Sequence, residues 1–234
     1  AEDSINFVSE SGRYPLSGVG DINTYPIFTE LSSLELINPR GRTGIVVKTG
    51  IATDYYTQDL FAKFIEEKRL VSLHDFVNEE GLFPDVAPPE RFCLLTIAGN
   101  AEDVNKFEFS FYSTNLEMRR DESRQYELTR KQIENINPNT KNCPIFESKE
   151  DRDVTVRIYQ NTPVLINDQE KSNVWGIDYH TIYHMANDDD VFASNKLENL
   201  RKNGYELDNM GKLSNDDDEY YPLLEAKLFH QFDH

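Results

Sequence analysis

Two rhythms of apolar residues run through the first half of this chain. Ile27, Phe28, Leu31 and Leu34 recur at helical spacing and predict a helix from about Thr24, with Pro26 suited to its first turn. Leu60, Phe61, Phe64 and Ile65 repeat the same spacing and predict a second helix, with Thr53 or Asp54 as its N-cap. Between them Gly41 and Gly44 frame a turn into the short continuous run "GIVV", which predicts a strand at 45–47. Further runs predict strands at 70–76 and 92–97, the second of them apolar throughout and so buried on both faces. The loop between those two is too short for a crossover helix, so they are expected to pair antiparallel.

Past residue 100 the rhythm changes to strict alternation, with Phe107, Phe109 and Phe111 on one face of a strand at 106–112. Thr129 with Gln132 makes a capping-box pattern and Ser148 with Asp151 resembles a second, so two capped helices follow. A short strand is expected at 163–166 and a linker at 167–173. Beyond it the pattern is patchy, with one helix near 196–202 stopped by Gly204. Residues 1–21 are polar and crowded with Gly, Ser and Pro, and read as turns.

Composition narrows this picture. At 234 residues and 38% hydrophobic, the chain is long enough to bury a substantial core. No apolar stretch reaches the about 20 residues a membrane-spanning helix needs, so no membrane partner is expected. The net charge of -18, from 42 acids against 24 bases, argues against a basic, nonspecific nucleic-acid binder. Much of the acid sits at 188–190 and 216–219, runs that read as solvated loops. Cys93 and Cys143 are too few for a disulfide framework, and a cytoplasmic location is the simpler expectation. The chain opens without Met and closes with apolar residues still arriving, the pattern expected of a piece of something longer.

Several stretches carry candidate chemistry. "NPRGRTGIVVKTGIATD", residues 38–54, has the order strand, glycine turn, helix that places ligands at a strand's carboxyl end. Its spacing fits neither a phosphate-binding P-loop nor a dinucleotide fingerprint, so a structural turn is the plainer reading. His180 with His184, and His230 with His234, stand four apart as in zinc sites, but no Glu or Cys completes a ligand set. Glu225 and Lys227 match half of a metal-dependent nuclease motif, a three-residue pattern that is common by chance. In "GLFPDVAPPE", residues 81–90, Phe83 is either a buried plug or an aromatic platform on which a planar ring stacks.

Taken together, "INTYPIFTELSSLEL", "GRTGIVVKTGIATD", "DLFAKFIEEKRLVSLHDF" and "LFPDVAPPERFCLLTIAG" resemble, in order and spacing, the late motifs of adenine-N6 DNA methyltransferases. The similarity is greatest to the long proteins of type II restriction–modification and related phage-defence systems. It runs on through "INPNTKNCPIF", "RIYQNTPVLI", "VWGIDYHTIYHMAND" and "YYPLLEAKLFHQFDH", and so covers nearly the whole chain.

The resemblance implies an α/β fold: the second half of an S-adenosylmethionine-dependent methyltransferase sheet with its last strand reversed, then a mixed α+β connector and recognition segment. Residues 1–100 would belong to the catalytic domain, 101–170 to the connector and 171–234 to the start of the target-recognition region. The implied activity is methyl transfer from S-adenosylmethionine to N6 of an adenine flipped out of double-stranded DNA. Two residues are implied in binding: Phe83 stacking on the extruded base and Phe28 lining the cofactor's adenine pocket. The Asn-Pro-Pro-aromatic catalytic motif and the glycine-rich cofactor loop are not in this sequence. No catalytic residue is therefore assigned, a missing N-terminal catalytic half is the expected partner, and the chain alone is expected to be inactive. The charge keeps two alternatives open: an acidic, noncatalytic protein-interaction or DNA-mimic module, and a magnesium-dependent nuclease piece.

Overall fold

The computed structural model describes residues 2–178 and 197–222, with positions 180, 181, 184, 187 and 192 between them. The chain forms two compact units, Ala1–Ile177 and Asp178–His234.

The first unit is built on a five-stranded mixed sheet. Its strands are β1 (Arg42–Lys48), β2 (Leu70–Val77), β3 (Arg91–Ala98), β4 (Phe107–Ser113) and β5 (Tyr126–Leu128), in the spatial order β1-β3-β2-β4-β5. β3 lies between β1 and β2 and is antiparallel to both, while β2 and β4 run parallel. The reversed strand anticipated from the short connection is thus present, inserted between two strands that share a direction. The sheet also runs across residue 100, because β4 and β5, read from sequence as connector, complete it.

Strict alternation of side chains gives this sheet two unlike faces. On one face Val47, Leu73, Cys93, Leu95, Phe109 and Phe111 are buried and meet the helices. These are α3 (Gly50–Thr53), α4 (Gln58–Glu66), α6 (Arg130–Ile136) and α7 (Lys149–Asn161). α4 lays Leu60, Phe61, Phe64 and Ile65 into this core, as the helical spacing requires. On the other face the cross-strand rungs read Gly44–Thr96–Ser72–Glu108, Val46–Leu94–His74–Ser110 and Lys48–Phe92–Phe76–Ser113. Val46 is 53% exposed and Leu94 36%, so this face is open along β1 and β3.

Several local expectations are corrected. Residues 1–21 are not all turn, since α1 spans Glu2–Glu10. Neither Thr53 nor Asp54 caps α4: the chain makes the single turn α3, then a 3-10 turn at Tyr55–Thr57, and α4 opens at Gln58. Residues 163–166 form no strand, and Asn167 and Ser172 make an isolated bridge in the expected linker.

The first helix, α2 (Thr24–Glu30), starts where predicted with Asn23 as N-cap, and continues as a π-helical turn over Leu31–Glu35. Its fully buried positions are Pro26, Thr29, Glu30 and Ser33, while of the apolar stripe Leu34 packs against the core and Phe28 is exposed. Glu30 is held inward because its carboxylate accepts the N–H and hydroxyl of Ser17 at 2.8 and 2.6 Å. Thr129 and Gln132 form the full capping box of α6. Ser148 caps α7, its hydroxyl donating to the Asp151 carboxylate at 2.7 Å.

The second unit contains α8 (Leu197–Lys202) and a three-stranded antiparallel sheet of β6 (Glu206–Leu207), β7 (Leu213–Ser214) and β8 (Glu219–Tyr220). In the acidic run at 216–219, Asn215 accepts the backbone N–H groups of Asp217 and Asp218, forming the turn into β8. No helix among the described residues is long and apolar enough to cross a membrane.

Candidate functional site

β1, β2 and β4 share a direction, so their carboxyl ends, near Lys48, Val77 and Ser113, lie along one edge of the sheet. Crevices at such edges are where open α/β sheets bind ligands. The edge here is held together by Asp75, a fully buried acid near the end of β2. Arg91, at the start of β3, donates Nε to its Oδ1 at 3.2 Å and a second nitrogen to its Oδ2 at 2.8 Å. The Thr49 hydroxyl, just past β1, donates to Oδ1, and the Tyr112 backbone N–H, at the end of β4, donates to Oδ2 at 2.9 Å. One carboxylate thus ties four strands together, with every bond charge-assisted. The Arg91 guanidinium also lies over the Tyr112 ring, 4.5 Å from its centroid. Burial first, and then the Asp75 charge, push the neighbouring Cys93 thiol upward from its ordinary pKa.

Phe83 stands on this edge in the loop from β2 to β3. It is 42% exposed, and its ring meets Phe92 edge-to-face at 4.8 Å, while Phe92 stacks on Phe76 at 5.4 Å. One side of the Phe83 ring is packed on Phe92, and part of the residue is open to solvent. The loop reverses at Gly81, whose φ of +68° suits glycine, and it is clipped by Asn78. Asn78 is buried; its Oδ1 accepts the Phe83 N–H at 2.9 Å, and its Nδ2 donates to the Phe83 and Val86 carbonyls at 2.9 and 2.7 Å.

Phe28 is 60% exposed on α2, one turn beyond Tyr25. The Tyr25 hydroxyl donates to Asp54 Oδ2 at 3.4 Å, which brings α2 to the turn that follows β1. Burial, then the Asp54 charge, raise the Tyr25 pKa to about 12. No ring contact among the described residues joins Phe28 to Phe83, whose ring partner is Phe92. Lys48 pairs with Glu90 across the exposed surface at 3.0 Å.

A second polar cluster lies on the open face of the sheet. Arg119, on α5 (Leu116–Arg120), donates to His74 Nε2 at 2.9 Å, and His74 Nδ1 lies 3.0 Å from Ser110 Oγ. An arginine can only donate, so Nε2 accepts and the imidazole proton sits on Nδ1, facing Ser110. Burial, then the Arg119 charge, depress the His74 pKa to about 4, which keeps the ring neutral.

The remaining candidates do not converge here. His180 and His184 are exposed, and among the described residues no three His, Cys, Asp or Glu side chains are grouped to hold a metal. Glu225, Lys227, His230 and His234, and the run at 188–190, lie outside the described residues. Two hollows of about 580 and 630 Å³ are lined by other residues, the first between α6, α7 and the loop after α7. The second is lined in part by Glu30, Glu67 and Arg69.

Sequence reading missed Asp75, Arg91, Thr49, Tyr112 and Asn78. The signal was there in "LVSLHDFV": an acid inside an apolar strand must find buried donors. No protein-family model matches the chain, and no curated protein matches it.

Proposed function

We propose that this chain is the second half of the catalytic region, with the start of the recognition region, of an adenine-N6 DNA methyltransferase of a restriction–modification system. The observation that carries the reading is the strand inserted antiparallel between two parallel neighbours, with a half-exposed Phe83 at their carboxyl edge. The open ladder of β1 adds to it. Among the described residues this strand pairs with β3 alone; it contains no proline and offers an edge to which a further strand can add.

In this reading Phe83 stacks on the flipped adenine, and its packing on Phe92 gives the base a fixed surface. The methyl group would come from S-adenosylmethionine, with Phe28 against the cofactor's adenine ring; its exposed face fits a stacking role. Double-stranded DNA is the substrate, and the partner is the segment bearing the Asn-Pro-Pro-aromatic motif, whose strands would extend the sheet past β1.

The test is co-expression with the upstream segment of the same reading frame, followed by transfer of labelled methyl groups to DNA. Transfer is expected from the joined protein and not from this chain alone. In the joined protein Phe83→Ala should reduce methylation; unchanged turnover removes the assignment.

A specific observation favours a second reading, an acidic module that binds a basic partner protein without catalysis. Asp54, Glu79, Glu80, Asp85 and Glu90 lie in the loops after β1 and β2, where Lys48 and Arg91 are already ion-paired. Binding to a basic protein with no methyl transfer by the joined enzyme would select it.

A further inference from the structure

We infer that Asn78 is the positioning residue for Phe83: its carboxamide sets where the ring stands for a stacked base, although it does not itself reach the base. The inference rests on the stacking role proposed for Phe83. Its support is the way the loop is built. β2 ends at Val77, and the Asn78 backbone N–H donates to the Glu90 carbonyl at 3.0 Å, which closes the two ends of the loop. Between those ends the side chain of Asn78 takes the place of a missing ladder. Both hydrogens of Nδ2 are used, on the carbonyls of Phe83 and Val86, and Oδ1 takes the Phe83 N–H.

Both backbone polar groups of Phe83 are therefore bonded to one side chain that is only 1% exposed, and the carbonyl also accepts the Val86 N–H at 3.1 Å. Asn is suited to this because a single planar group offers two donors and an acceptor at once. Aspartate keeps the size and the acceptor but turns a second oxygen toward two carbonyl oxygens. A second tie holds the loop's first turn: Glu80 accepts from the Thr114 hydroxyl at 2.6 Å and from Asn115 Nδ2 at 2.8 Å, anchoring it to the end of β4. What Asn78 adds beyond that anchor is the placement of Phe83. A misplacement of about 1 Å is enough to cost most of a positioned contact, so a loosened loop should lose stacking before it loses the fold.

The experiment uses the full chain and 2-aminopurine ribonucleoside, a neutral fluorescent purine whose emission falls on stacking. Quenching is titrated for the native chain, Phe83→Ala, Asn78→Asp and Asn78→Ala, with urea unfolding of each alongside. Expected are saturable quenching by the native chain, none by Phe83→Ala, and about tenfold weaker quenching by both Asn78 variants under conditions where they are folded. If Phe83→Ala quenches like the native chain, the stacking reading fails and this inference falls with it. If Phe83→Ala loses quenching but both Asn78 variants keep it, the positioning role is overturned and the stacking reading stands. Quenching lost only in proportion to the unfolded fraction also overturns the positioning role.

Discussion

The backbone N–H of Tyr112 is held on the carboxylate of Asp75 at 2.9 Å, and Tyr112 adopts a φ of +57° to reach it. A bulky residue is rarely found in that left-handed region, and the conformation costs on the order of 1 kcal/mol or more. It coincides with the register shift between β2 and β4 after His74, so the bulge and the buried acid belong together. Asp75→Ala should leave Arg91, the Thr49 hydroxyl and the Tyr112 N–H without their acceptor. The expected loss is about 3 kcal/mol or more, measured as a shift of the urea midpoint.

His74 makes stability depend on pH in a definite direction. Its pKa is about 4 in the fold, against an ordinary value of 6.5, so between those values the unfolded chain takes up a proton that the folded chain refuses. The contribution is complete above about pH 6.5 and is lost as pH falls toward 4, by on the order of 3 kcal/mol in all. Urea unfolding at pH 7.5, 5.5 and 4.5 should show this decline. In His74→Gln, which cannot take up the proton, the decline should be shallower.

Gly99 is where two backbones nearly touch. A Cβ there would lie 2.2 Å from the Asn38 carbonyl oxygen and 2.4 Å from that of Pro39, neither of which is a flexible side-chain end. The same approach is held by Gly99 N–H to Gly41 O at 2.8 Å and Ala101 N–H to Pro39 O at 2.9 Å. Gly99→Ala should therefore cost about 2 kcal/mol, read from thermal or urea unfolding. An unchanged midpoint would remove the close approach.

Cys93 and Cys143 are both buried and free, and burial pushes both thiols up from their ordinary pKa. A thiol reagent acts on the thiolate, so neither should react in the native protein at pH 8. Both should react at once in denaturant, and the native rate should follow the opening of the core.

Phe28 separates a ligand role from a structural one. At 60% exposure its replacement by alanine should change stability by no more than about 0.5 kcal/mol. In the joined enzyme the same change should weaken cofactor binding, read by isothermal titration; unaltered affinity would free Phe28 of any cofactor role.

How far the sequence disclosed all this depended on whether neighbours along the chain made the contacts. The alternating Phe107, Phe109 and Phe111 and the Thr129–Gln132 box are local, and both read correctly. The sequence locates α2 but does not mark Glu30 as buried, because the partner that holds it is Ser17, 13 positions earlier. The start of α4 was misplaced at Thr53 or Asp54 because the intervening 3-10 turn, after which Thr57 stands before the helix, has no sequence signature. Asp75 collects Thr49, Arg91 and Tyr112 from three other strand ends, a meeting no local pattern encodes. The packing of Phe83 on Phe92 depends on the register of β3, which no local pattern around residues 81–90 carries.

The place of β3 also governs how a nascent chain can fold. β1 and β2 are never neighbours, and among the described residues each takes its antiparallel partner from residues 91–98. Within this chain neither β1 nor β2 can join the other in one sheet until β3 has been made, on the order of seconds after β1 at ribosomal rates. Their apolar residues are sticky during that interval. Slow codons before residue 91 would lengthen that interval rather than aid folding.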